Sequence, residues 1–133
     1  MHLRRRKRSL PKVPVEYPVG SFIETEAGYF YIVSSSKRYR FLSKRGLDSW
    51  NPHRVIVTSE AAVSKYRIVT KMKFRNGSLI HNLADGKIYL IEENKRRHII
   101  NPDVLERIGA SVKDVVSVSL EEINLHEEGE PLK

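Results

Sequence analysis

The chain has no cysteine, which excludes a disulfide framework, a thiolate zinc site and thiol catalysis, and fits a reducing compartment. No apolar run approaches the roughly 18 residues of a membrane-spanning helix. The basic opening MHLRRRKRSL has the positive end of a signal peptide, but Pro11, Lys12, Pro14 and Glu16 follow where an apolar stretch is needed, so Sec-type export is not expected. Acidic residues are missing from the first 14 positions, whereas Arg4, Arg5, Arg6, Lys7, Arg8 and Lys12 stand there. Such an arm repels itself, and Pro11 and Pro14 forbid a regular helix.

Catalytic signatures are missing as well. The five histidines (His2, His53, His81, His98 and His126) show no i, i+4 pairing, and the seven glycines form no phosphate-cradling loop. No Gly-x-Ser-x-Gly elbow occurs. Glu121 and Glu122 are adjacent and point in different directions on a helix, which suits capping and solvent charges better than an acid and base pair. The serines at 34–36 suit a turn. The expectation is a non-enzyme, with no catalytic, cofactor or metal residues.

What is present is repetition. The string GSFIETEAGYFYIVSSSKRYRFL, beginning at Gly20, is echoed by GSLIHNLADGKIYLIEENKRRHII, beginning at Gly77. Gly20 matches Gly77, Ser21 matches Ser78 and Ile23 matches Ile80; after a one-residue slip Tyr31 matches Tyr89, Lys37 matches Lys95, Arg38 matches Arg96 and Leu47 matches Leu105. After a further insertion VIVTSE, from Val55, is laid over VSVSLE, from Val116. At 133 residues two such units share one ordinary domain or make two very small ones.

Each copy reads as strand, turn, strand. The first strand of each hairpin is apolar on both faces and is expected to be covered twice. The return strand in the first copy alternates Arg38 and Arg40 with Tyr39 and Phe41, which predicts one core face and one face toward water or a partner. Asn101, Pro102, Asp103 and Gly109 predict a helix over 102–108, and Ser119 with Glu122 is a capping box opening a brief helix through Leu125. Residues 44–50, 55–57 and 59–65 would take the corresponding parts in the first copy. Residues 68–74 read as a half-buried strand running into the hairpin signal Asn76-Gly77.

The expected fold is therefore α+β and β-rich: two pseudo-repeated units of a β-hairpin plus short helices and a further strand. The parts are a basic N-terminal arm (1–14), a first unit (15–67), a connecting strand (68–76), a second unit (77–126) and an acidic tail (127–133).

The string KIYLIEENKRRHIINPDVLERIGASVKDVVSVSLEEI resembles a short repeat that occurs in tandem, often toward the ends of secreted bacterial proteins and in proteins encoded by bacteriophages. The second copy carries its Tyr-Leu-Ile strand at Tyr89, its Lys-Arg-Arg at Lys95, its Pro-Asp-Val at Pro102, its Gly at Gly109 and its closing Val-x-Val-Ser at Val116. The first copy departs from it, with Lys44 in place of Pro and no Gly after Trp50, so an irregular helix or a loop is expected there. The resemblance implies a scaffold with a binding or structural role and brings no catalytic residue with it.

Charge separates the ends. Residues 1–76 carry a net +12 and residues 77–133 a net −4. A basic arm and an acidic tail on one chain suit docking between copies, a heterologous contact that can close into a ring. The expected function is a bacteriophage virion structural protein of the tail, neck or head surface, made in the host cytoplasm. It would assemble with copies of itself and other virion proteins through the arm residues Arg4, Arg5, Arg6, Lys7, Arg8 and Lys12, with no membrane partner. The alternative is a small nucleic-acid-binding protein that grips phosphates through the arm without reading bases. Arg38, Arg40, Lys71, Lys73 and Arg75 could extend the basic surface, although a lysine-rich strand also guards an edge.

Overall fold

A computed structural model describes residues 9–133, so Arg4 to Arg8 of the arm lie outside the described residues. The described residues are mixed α/β and β-rich, with two sheets and three short helices among them. Its elements are β1 (Phe22–Thr25), β2 (Phe30–Val33), β3 (Lys37–Phe41), α1 (Lys44–Asp48), β4 (Val55–Thr58), β5 (Arg67–Met72), β6 (Leu79–Asn82), β7 (Ile88–Glu92), β8 (Lys95–His98), α2 (Asp103–Arg107), a 3-10 turn (Val112–Asp114), β9 (Val115–Val118) and α3 (Leu120–Ile123). Two compact units form: one from Met1–Arg40 and Arg54–Thr70, the other from Phe41–His53 and Lys71–Lys133.

The first unit is built on the sheet of order β4-β1-β2-β3-β5. β1 runs antiparallel to β2, with Ile23 opposite Tyr31, and parallel to β4, with Ile23 opposite Ile56. Alternation along β1 and β2 sends Ile23, Tyr31 and Val33 to one face, where Val63 and Tyr66 close a core flanked by Tyr17 and Ile56. Phe22, Phe30 and Ile32 alternate with them and are half-buried, so both faces of β2 are covered as expected. Gly20, with φ +87°, admits the chain to β1, its N–H donating to Val33 O at 2.7 Å while Ser21 Oγ turns back to Pro18 O at 2.6 Å.

The second unit is built on the sheet of order β8-β7-β6-β9. β6 runs antiparallel to β7, with Ile80 opposite Tyr89, and parallel to β9, with Ile80 opposite Val116. One face packs Ile80, Tyr89 and Ile91 with Phe74, Val118 and Ile123. The other packs Leu79 and Ile99 with Val104 and Leu105 of α2. Burying each such aliphatic side chain stabilises the fold by roughly 1.5–3 kcal/mol.

Helix signals map closely, with local shifts. Asn101 Oδ1 accepts Asp103 N–H at 3.0 Å, and α2 itself begins at Asp103. Gly109, with φ +78°, lets Ala110 N–H return to Leu105 O at 2.8 Å. The Ser119 and Glu122 capping box opens α3, which ends at Ile123. The expectation of an irregular first-copy helix is corrected: α1 is a regular turn capped by Ser43, and Asn51, with φ +47°, takes the left-handed position that needs no glycine because a short amide side chain tolerates it.

Three further expectations are corrected, and the tail finds a place. Residues 59–65 form successive turns rather than a helix: Ser59 Oγ caps Ala62 N–H at 3.0 Å, but Ala62 stands where Glu122 completes the box in the second copy. The overlay of VIVTSE on VSVSLE slips by one residue, since Phe22 opposes Val55 as Leu79 opposes Val115. The strand expected over 68–74 runs from Arg67 to Met72, is exposed over its first five residues, and forms no hairpin through Asn76-Gly77; β5 lies beside β3, and β6 pairs with β7 and β9. The acidic tail, 127–133, belongs to the second sheet's edge. It runs parallel along β8 through the Arg96–Glu128 and Ile99–Leu132 bridges, with Arg96 N–H donating to Glu127 O and Gly129 N–H to Arg96 O, each at 2.8 Å.

Candidate functional site

The arm is held at its root. Ser59 Oγ donates to Pro11 O, Val15 N–H donates to Ala62 O at 2.9 Å, and Tyr17 Oη donates to Thr58 Oγ1 at 2.8 Å. Tyr17 N–H donates to Tyr66 Oη at 2.7 Å. Tyr66 is buried in the first unit's core, so the segment from Pro11 to Tyr17 is fixed to a packed sheet. Lys12 is exposed there.

Arg38 and Arg40 do not form the outward basic face expected of them. The Arg38 guanidinium lies 4.9 Å from the Tyr31 ring centre and that of Arg40 lies 4.3 Å from the Tyr29 ring centre, on the face that carries Ile23 and Val33. An arginine there buries its stem and stacks its cation on an aromatic quadrupole, which a reading by charge alone misses. Arg38 also meets Glu60 Oε1 at 3.4 Å and is only 12% exposed. Tyr31 Oη donates to the same oxygen at 3.0 Å, and burial together with Glu60 pushes the Tyr31 hydroxyl up to about 12, against the opposing pull of Arg38 and Arg40. Four buried polar atoms in and around this cluster (Thr25 Oγ1, Arg38 Nε, Arg40 Nε and Glu60 Oε2) have no hydrogen-bond partner among the described residues.

The remaining basic candidates belong to the second unit, where the Lys71 side chain is paired and Lys73 and Arg75 are held through their backbone groups. Lys71 Nζ lies 2.9 Å from Glu121 Oε1, an exposed pair that contributes little. Lys73 O accepts Trp50 Nε1–H at 3.0 Å. Arg75 is exposed, with its N–H donating to Ser49 Oγ at 3.2 Å.

Two buried ionisable centres of this unit escape a reading of the sequence. Glu122 is 2% exposed, against the expectation of a solvent charge. Its carboxylate accepts Ser43 Oγ–H at 2.6 Å, Arg45 Nη2–H at 2.9 Å, and Ser119 N–H and Oγ–H at 3.1 and 3.0 Å. Burial pushes its pKa up, but those donors outweigh burial and hold it below the usual carboxylate value. His126 is fully buried, with Nδ1 2.7 Å from Asn94 O and Nε2 3.2 Å from Phe74 N. A carbonyl at Nδ1 and an N–H donor at Nε2 together require the neutral tautomer with its proton on Nδ1. Burial, reinforced by Lys73 and Arg96, lowers its pKa despite the Asn94 carbonyl.

Beside these centres is a cavity of about 280 Å³ with Phe74, Leu79, Ile80 and Val116 as apolar walls and Arg45, Asp48, Ser49 and Asp114 among its polar ones. Among the described residues, no group of three or more His, Asp and Glu side chains converges as metal ligands would. No helix among them is long and apolar enough to cross a membrane. No protein family, no curated protein and no solved structure matches the chain.

Proposed function

We propose that residues 17–72 and 74–132 are two copies of one unit, and that the protein is a non-enzymatic structural component of a bacteriophage virion. Support for the repeat comes from details that a chance pair of hairpins need not share. Each copy places two antiparallel hairpin strands and one parallel strand around the same register. The Gly20 and Ser21 contacts recur at Gly77, whose N–H donates to Ile91 O at 2.6 Å, and at Ser78, whose Oγ donates to Arg75 O at 2.6 Å. Arg38 over Tyr31 recurs as Arg96 over Tyr89 at 5.8 Å. Tyr66 beneath Tyr17 N–H recurs as His126 beneath Phe74 N–H. In each copy a last segment, β5 or the tail, then lies against the third strand.

The observation that carries the functional reading is the clamped root at Pro11, Val15 and Tyr17, which five consecutive cations, Arg4 to Arg8, precede in the sequence. Polar side chains are tied to one another in each unit, Tyr31 and Arg38 to Glu60 in the first, and Ser43, Arg45 and Ser119 to Glu122 in the second. The resemblance to tandem repeats of bacteriophage proteins points to a tail, neck or head-surface part, made in the host cytoplasm and incorporated through the arm and the repeat faces. Quantitative mass spectrometry of purified particles should find the chain at a fixed stoichiometry to other virion proteins. Its recovery from lysed cells but never from particles would overturn the assignment.

The run Arg4 to Arg8 also favours a second reading, phosphate gripping without base readout. Five phosphate contacts predict a salt slope of about −4.5, so affinity for any duplex should fall about 500-fold between 50 and 200 mM salt.

A further inference from the structure

We propose that the cavity between α1 and the β6–β9 strand pair of the second unit receives a basic side chain from the N-terminal arm of another copy. This rests on the assembly reading above and names the surface on which that arm docks. At about 280 Å³ the cavity is at the small end of ligand-pocket size and has room for one long side chain. Its floor, Phe74 and Ile80, is buried and apolar, and Val116, opposite Ile80 on the same face of the sheet, extends it, so the stem of an arginine or lysine would lie on hydrocarbon.

Charge at the rim decides the occupant. Arg45 is the cavity's own cation, and its guanidinium is already bound to buried Glu122 at 2.9 Å. The two aspartates remain. Asp114 binds only the Ser111 N–H at 2.9 Å and has no cationic partner among the described residues. Asp48 meets Lys44 at 3.0 Å, but both side chains are more than half exposed, so that pair is worth little and can be displaced. An apolar floor under two such carboxylates complements a guanidinium or ammonium head. The arm supplies five in succession without one acid, from Arg4 to Arg8.

The test is self-association of the full chain by sedimentation equilibrium. Asp48→Asn with Asp114→Asn keeps both side-chain shapes and the acceptor for Ser111, and should weaken association about tenfold at unchanged thermal midpoint. Neutralising Arg4, Arg5, Arg6, Lys7 and Arg8 to Gln should weaken it at least as much, and combining both sets should add no further loss, because arm and aspartates are one contact. Lys44→Ala, which removes the competing cation, should strengthen association two- to threefold, an effect no merely structural role produces. Additive losses, or association untouched by the aspartate variants, would overturn the docking site while leaving assembly standing. A wild-type monomer at all accessible concentrations would overturn assembly and the site together.

Discussion

Glu122→Ala is expected to lower the thermal midpoint by about 10 °C, the equivalent of about 3 kcal/mol in a chain of this size. The carboxylate is sealed from water and accepts four hydrogen bonds, so its removal strands Ser43 Oγ, Ser119 N–H and one side of Arg45 together. Ser43 and Arg45 belong to α1 and its cap, and Ser119 caps α3, so one side chain ties two helices 77 to 79 residues apart in sequence. Arg45→Ala should cost less, about 1 kcal/mol, because its guanidinium side chain is 48% exposed and Ser43 and Ser119 still donate to the carboxylate. Thermal denaturation of the two variants separates these values. Equal losses would mean that the ion pair rather than the buried carboxylate holds the helices.

His126 should make stability depend on pH in the neutral range. Its folded pKa lies below the ordinary 6.5, so the unfolded chain binds the proton more readily than the folded one. Stability is then fully present above about pH 6.5 and declines as pH falls toward the folded value, by up to about 1.4 kcal/mol per pH unit. Protonation at Nε2 removes the only lone pair facing Phe74 N–H and places a cation near Lys73 and Arg96. Glu122 does not enter this window. Its pKa is held below 4.5, so its stabilisation is lost only in stronger acid. Urea unfolding at pH 7.5 and 5.5 should show a larger drop for the wild type than for His126→Ala. At pH 7.5 the variant itself should be destabilised by about 3 kcal/mol through the cavity and the orphaned N–H. An identical pH slope in both proteins would remove His126 from the account.

Local signals were legible where one short segment contains all the groups that act. The hairpins, the Asn101 cap, the Gly109 terminus and the Ser119 and Glu122 box each close within a few residues. Signals that depend on distant partners were not. Asn76-Gly77 looks like a tight hairpin, yet Gly77 serves to start β6 against Ile91, and Asn76 Oδ1 accepts Asn94 N–H at 2.8 Å instead of turning β5 back. The tail was read by its carboxylates, while its backbone groups, to which composition is blind, bond to β8. Charge alone places Arg38 and Arg40 outward, whereas their stems and planar heads decide their place. Glu122 was recognisable as a cap, but nothing near it announces Ser43 and Arg45. Asn51 could have been found, since asparagine is the commonest substitute for glycine at a left-handed helix end.

Native mass spectrometry of the full chain at moderate salt, with and without a short duplex DNA, tests the central claim of arm-directed assembly most directly. A discrete oligomer that needs no DNA and is lost when Arg4 to Arg8 are neutralised is the predicted result. A monomer that gains only the mass of the duplex would contradict it and make phosphate binding the arm's function.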